Sequence, residues 1–294
     1  MPTTSPADRS TLHIALPKGR MQEGVFRLLA DAGVEVRAGS RGYRPTVSLA
    51  GIAAKILKPQ NIVEMLHVGS RDVGFAGADW VRELGADLVE ILDTGLDPVR
   101  LVAAAPEAIL GEGSSLPNRK LVVASEYERL ATDWIRARSL DATFVRSYGA
   151  TEVFPPEDAD CIVDNTATGA TLEANGLAIV DEIMRSSTRL YAHPRALENV
   201  AKKETLDRLV LLLKSVLEAR RRVMLEVNVA PDKLEAVVAA LPCMREPTIS
   251  SLHGDSGYAV KAAVPREDLP RLIPEVKRRG GTDVVVTNLS QIVP

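Results

Sequence analysis

Asp164 closes the apolar run 161–163 and opens the segment DNTATGATL, 164–172, whose residue types suit a sugar phosphate. A carboxylate at a strand end accepts hydrogen bonds from ribose hydroxyls, and Thr166, Thr168 and Thr171 can donate to phosphate oxygens. Gly169 and the small Ala167 and Ala170 let backbone N–H groups approach the same anion at a helix start. Asx, Thr and Gly also build ordinary turns, so the loop taken alone reads equally as a plain strand-to-helix connection.

Other segments offer complementary chemistry. LPKGR, 16–20, sets Lys18 and Arg20 around Gly19 at the C-terminal tip of the first strand, the edge where open αβ sheets bind ligands. Two cations there can neutralise a diphosphate, the plainer alternative being a solvated basic loop. GATE, 149–152, brings Glu152 near a helix start, either as a dipole partner or as a second acid beside Asp164 for ribose hydroxyls or magnesium. RGYRP, 41–45, supplies Arg41 and Arg44 for phosphates and the Tyr43 ring for a base, or else an exposed turn. KPQN, 58–61, supplies Lys58 at a strand end and Asn61 as a helix cap. Gly77 ends GSRDVGFAG, 69–77, in a small-residue tip against which a purine could lie, although turn structure explains the tip almost as well. No Ser/His/Asp or Cys/His arrangement suggests covalent catalysis, and no paired carboxylates stand at helical spacing on a cleft. A covalent nucleophile is not expected, and the chemistry rests on positioning and charge stabilisation.

The elements that must position these residues alternate between short apolar runs and helix-period segments. Strands are predicted at 12–16, 72–77, 87–92, 99–105, 120–125 and 142–146, with a helix at 21–33 and another at 126–138 capped by Ser125. Such alternation predicts a mostly parallel sheet covered by helices. The Gly- and Ser-containing stretch 106–117 is a candidate hinge between two lobes: 1–105 with 185–222 as lobe I, and 106–184 as lobe II. A long helix is predicted over 202–222, with Leu206, Leu209, Leu213, Val216 and Leu217 on one stripe. From Met224 the order becomes strand, helix, two strands, helix, strand. That βαββαβ pattern predicts a separate ferredoxin-like domain over 223–294.

Composition excludes several classes. The 36 basic and 39 acidic residues are scattered, leave a net charge of −3 and form no basic stripe, so nucleic-acid binding is not expected. The polar arm MPTTSPADRS is followed by an apolar segment of only five residues, which predicts neither an exported leader nor a membrane span. Cys161 and Cys243 lack metal-ligand spacing and read as reduced structural residues of a cytoplasmic protein, and the four scattered histidines make a His-based metal site unexpected.

Together, LHIALPKGR, ADCIVDNTATGATLEANGL and PTISSL resemble the long-form ATP phosphoribosyltransferases of histidine biosynthesis, over nearly the whole chain. The specific match is Asp164, Thr168, Gly169, Thr171, Leu172, Asn175, Gly176 and Leu177. The resemblance implies an α/β, two-lobed catalytic region of periplasmic-binding-protein type followed by an ACT-like domain that binds histidine as feedback inhibitor. It implies attack of adenine N1 of ATP on C1 of 5-phosphoribosyl 1-diphosphate, with Mg2+ present. It further implies that 166–171 holds the 5-phosphate, Asp164 and Glu152 the ribose, and Lys18 and Arg20 the diphosphate. Thr248 and Ser250 match the regulatory strand, and a hexamer built from dimers is implied. The chain departs from the family pattern at Lys58, Asn61, Asp158 and Asn165, the last standing where the family tends to be apolar. A non-catalytic two-lobed ligand sensor and a different phosphoribosyltransferase are the alternative readings.

Overall fold

The computed structural model describes residues 10–37 and 42–293. The chain divides into two compact units, Met1–Arg27 with Glu35–Asp207 and Leu28–Val34 with Arg208–Pro294. In chain order, the elements up to the second unit's sheet are β1 (Leu12–Pro17), α1 (Arg20–Asp31), β2 (Val36–Arg37), β3 (Thr46–Val47), β4 (Ile52–Leu57), α2 (Pro59–His67), β5 (Val73–Gly77) and α3 (Ala78–Glu83). There follow β6 (Val89–Pro106), β7 (Leu121–Ser125), α4 (Glu128–Ala137), β8 (Ala142–Arg146), β9 (Cys161–Thr166), α5 (Ala170–Ala174), β10 (Leu177–Ala192), α6 (Pro194–Glu198) and α7 (Val200–Arg221).

Eight strands of the first unit form one sheet in the order β4-β1-β5-β10-β6-β9-β7-β8. Its flanks are parallel, β1 with β4 and β5, and β7 with β8 and β9. The centre is antiparallel, β10 with β5 and β6, and β6 with β9, so the sheet is mixed where the sequence predicts a mostly parallel one. Alternation along β6 explains burial on both faces. Leu101, Ala103 and Ala105 pack with Tyr127, Leu130 and Trp134, whereas Val102 and Ala104 pack with Ile162, Leu172 and Leu177.

Four local expectations are corrected. The predicted strands 87–92 and 99–105 are parts of the single strand β6, which passes through Gly95 (φ 65°) and Asp97 (φ 47°). Those residues and Pro98 read as a turn, but a bulged strand accommodates them. Second, β10 was not predicted, because five register shifts against β6 break its period-two pattern. Third, α4 begins at Glu128 and Ser125 does not cap it: the buried Ser125 hydroxyl donates to Val163 O (2.6 Å) and accepts from Tyr127 N (2.9 Å). Fourth, α2 is preceded by Lys58, and Asn61 lies inside it, with Nδ2 donating to Glu64 (3.0 Å). The candidate hinge stretch contains two single 3-10 turns, Glu107–Ile109 and Glu112–Ser114.

Near the other end of the sheet, Lys202 Nζ donates to both Asp72 oxygens at 2.8 and 2.9 Å, and His13 N donates to the same carboxylate at 2.7 Å. This charge-assisted cluster ties the first turn of α7 to the starts of β1 and β5.

The second unit carries β11 (Arg222–Val229), α8 (Leu234–Val238), β12 (Thr248–Ser251), β13 (Tyr258–Pro265), α9 (Leu269–Arg278) and β14 (Gly281–Asn288). Its sheet has the antiparallel order β12-β13-β11-β14. Val223, Leu225, Val227 and Val229 alternate onto the face that packs with Val237, Leu272 and Val276 from the two helices.

Candidate active site

At the C-terminal ends of β1 and β5, a cleft of about 110 Å³ is lined by Lys18, Arg20, Gly77, Asp79, Trp80, Asp97, Asn165 and Ser186, among others. The chain turns at Gly19, which adopts φ 88°, so Lys18 and Arg20 leave the tip of β1 on either side of a left-handed residue. Lys18 Nζ donates to the Tyr43 hydroxyl at 3.1 Å and lies 5.0 Å from the ring centroid. The Lys18 hydrogen bond and charge lower the Tyr43 pKa. Lys18 N also bonds to Leu57 O (2.8 Å), which brings Lys58 to the same sheet edge. Arg44 belongs to a basic group nearby: Arg71, burial and Arg44 together lower the Lys55 pKa. Arg41 lies outside the described residues.

Asp164 stands near the end of β9. Burial pushes its carboxyl up to about 6, the Asn165 backbone N–H (2.7 Å) works against that rise, Glu152 and Glu126 add to it, and Arg20 opposes it. Glu152 is carried by the 3-10 turn Thr151–Val153. Thus the two predicted acids and Arg20 are brought within electrostatic reach of one another.

The loop after β9 is organised by its own hydroxyls. Buried Thr166 accepts from Gly169 N (2.9 Å), and exposed Thr168 accepts from Ala170 N (3.3 Å). Gly169 takes φ 91° and starts α5, where an added side chain would be strained. Ala167, Ala170 and Thr171 are exposed around this turn.

A polar network missed from the sequence runs beneath the cleft. Asp79 is only 5% exposed. It accepts from the Tyr127 hydroxyl (2.7 Å) and the Ser186 hydroxyl (2.7 Å), while its own N–H donates to Ser186 (3.1 Å). Asn165 Nδ2 donates to the Tyr127 oxygen at 2.8 Å, and the Tyr127 ring packs on Trp80 with centroids 4.7 Å apart. Burial, followed by the Asp79 charge, holds the Tyr127 hydroxyl pKa well above its ordinary value. The Asp79 carboxylate also occupies the space that a side chain at Gly77 would need. Gly77 lines the cleft, but it makes room first for a protein carboxylate. Also in the cleft lining, Asp97 accepts from the Thr188 hydroxyl at 2.9 Å. An acid two residues after a strand-ending Gly was the available signal for Asp79. Ser186 and Thr188 gave none, because they lie on the unpredicted β10.

The family model described as ATP phosphoribosyltransferase matches residues 58–215. The chain belongs to the ATP phosphoribosyltransferase family. A second model, the C-terminal domain of the same family, matches 219–291. The chain is 36% identical to an ATP phosphoribosyltransferase of Pelotomaculum thermopropionicum over 96% of its own length and 99% of the relative's. It is 35% identical to that of Desulforudis audaxviator, with the same coverage. A solved chain from the Thermotoga maritima ATP phosphoribosyl transferase (HisG:HisZ) complex aligns with TM-score 0.61 and 26% identity, covering 69% of this chain and 99% of that one. This membership makes the chain a pentosyltransferase of histidine biosynthesis and supports a periplasmic-binding-protein-like α/β catalytic region.

Proposed function

We propose that the cleft lined by Lys18, Arg20 and Asn165, together with the 164–171 segment to which Asn165 belongs, transfers the phosphoribosyl group to ATP. In the transfer a bond forms between adenine N1 and ribose C1 while the bond from C1 to the diphosphate oxygen breaks, and the electron pair leaves with diphosphate. Lys18 and Arg20 stabilise that developing charge, and Asp164 with Glu152 orients the ribose hydroxyls. Thr166, Thr168 and Thr171, with Ala167, Gly169 and Ala170, receive the 5-phosphate. Tyr43, Arg44, Lys58 and Gly77 border the nucleotide, with Arg41 assigned there from sequence alone. The observation that carries this reading is the convergence of Arg20, Glu152 and Asp164, three separately predicted residues, in one electrostatic neighbourhood.

The carboxyl cluster is the test of fit for Mg2+. Glu152 and Glu126 each raise the Asp164 pKa, so negative charge accumulates where a hard cation shared with a diphosphate would relieve it. Asp164 and Glu152 would hold the ion; among the described residues no group of three or more His, Cys, Asp or Glu side chains is placed to hold one. Bound there, it supplies charge neutralisation for the leaving diphosphate.

In this reading lobe I comprises 1–105 and 185–222 and lobe II 106–184, with β10 running across the boundary between them in the single eight-stranded sheet. Residues 223–294, within the second unit, form a ferredoxin-like, ACT-like regulatory domain that binds histidine. Its βαββαβ order supports this, as does a groove lined by Thr248, Glu246 and Lys261, whose opposite charges suit an amino-acid zwitterion. Ser250, the other residue assigned to histidine, is not among the groove's lining. The assembly is a cytoplasmic hexamer built from dimers. The test is incubation of purified protein with ATP, 5-phosphoribosyl 1-diphosphate, Mg2+ and pyrophosphatase, followed by mass detection of phosphoribosyl-ATP; no product from folded protein refutes it.

A further inference from the structure

We propose that Asn165 is a positioning residue which fixes the direction of the Tyr127 hydroxyl and thereby holds Asp79 toward the nucleotide. The inference rests on the reading that the purine lies along 77–80. A phenol carries one proton and can also accept. The Asn165 amide N–H must be accepted by the phenol oxygen, so the phenol proton is directed to Asp79 Oδ2, at 2.7 Å. Ser186 holds the other oxygen, Oδ1, at 2.7 Å, so both carboxylate oxygens are committed and the group has one orientation. The main chain of Asn165 meanwhile donates to Asp164 Oδ1 at 2.7 Å. One residue therefore links the ribose acid to Asp79, although Asp79 stands in the first turn of α3.

Asn165 also lines the cleft alongside Asp79 and Trp80. An apolar side chain at 165 would leave the phenol oxygen without that donor, removing one of the two hydrogen bonds that hold the Tyr127 hydroxyl in place against Asp79. Its ring packs on Trp80, so the change would reach the cleft wall as well as the carboxylate.

The test is isothermal titration of ATP into wild type, Asn165→Leu, Tyr127→Phe and the double variant, with turnover measured on each. Asn165→Leu is expected to weaken ATP binding about tenfold, the size of one net hydrogen bond to a polar site. The double variant should bind ATP within about twofold of Tyr127→Phe alone, because both changes break one path. Multiplying losses in the double variant, or wild-type affinity in Asn165→Leu, would overturn the proposal. Asn165→Ala replaces the leucine variant if that one does not fold. A wild-type chain that binds ATP and makes no product would remove the transferase reading and leave this coupling to be judged on affinity alone.

Discussion

Replacing Asp164 with Asn should make the ligand-free protein more stable at neutral and alkaline pH while abolishing turnover. The half-buried carboxyl has its pKa raised from 3.8 to about 6, chiefly by burial. A carboxyl raised on folding binds its proton more tightly in the native state. Its stabilising effect is therefore complete below pH 3.8 and lost as pH rises through about 6. Working through the linkage, ionisation of Asp164 costs the fold about 0.5 kcal/mol at pH 4 and about 3 kcal/mol at pH 8. Asparagine carries no charge, and its Oδ1 can still accept the N–H of Asn165. The variant should gain about 2 kcal/mol relative to wild type between these pH values after allowance for solvent screening. That gain corresponds to roughly 2–4 °C in Tm per kcal/mol for a domain of this size. Urea or thermal melts of both proteins at pH 4, 6 and 8, without substrate, measure it. A difference that stays constant with pH, or a variant less stable than wild type at pH 8, would refute the burial argument. Loss of turnover with gain of stability would identify Asp164 as a group held in a costly state for binding.

Thr166→Val should destabilise the protein by about 1–3 kcal/mol, because it leaves the half-buried Gly169 N–H without the acceptor that buried Thr166 supplies. Thr168→Val, on the exposed side of the same loop, should change stability by less than about 0.5 kcal/mol. Both should weaken 5-phosphoribosyl 1-diphosphate in isothermal titration, and equal melting of the two variants would contradict the assigned burial. Gly77→Ala should expel the Asp79 carboxylate from Tyr127 and Ser186, with a loss of about 3 kcal/mol or more in urea melts. A variant as stable as wild type would mean that the network can shift at little cost. Thr248→Val should reduce histidine affinity while Ser250→Val leaves it unchanged, since only Thr248 lines the groove; equal losses would place the amino acid elsewhere along β12.

The legible part of this molecule is the part whose chemistry is local. The turn at Gly19 between Lys18 and Arg20, and the turn at Gly169 that leads from β9 into α5, were legible within a few residues, because such turns are built from neighbours in sequence. The βαββαβ order of the second unit was readable for the same reason: β11 keeps a strict alternation from Val223 to Val229. What escaped depends on partners far apart. Asp79 bonds to Ser186 across 107 positions and to Tyr127 across 48. The strand that delivers Ser186 has five register shifts against its neighbour, so no window of β10 presents the period-two signal of a strand. Gly77 illustrates the consequence. Its smallness was visible, and a ligand lying against it was a reasonable inference from sequence. In the fold that space is taken by the Asp79 carboxylate, itself fixed by Tyr127 and by a serine that arrives on β10. A small residue beside a cleft therefore has two explanations, approach of a ligand or approach of a buried side chain that faces one. Only long-range pairing distinguishes them. On the proposed placement of the nucleotide, the second explanation sets an additional acid beside it, and Asn165 is the residue in contact with both acids' networks.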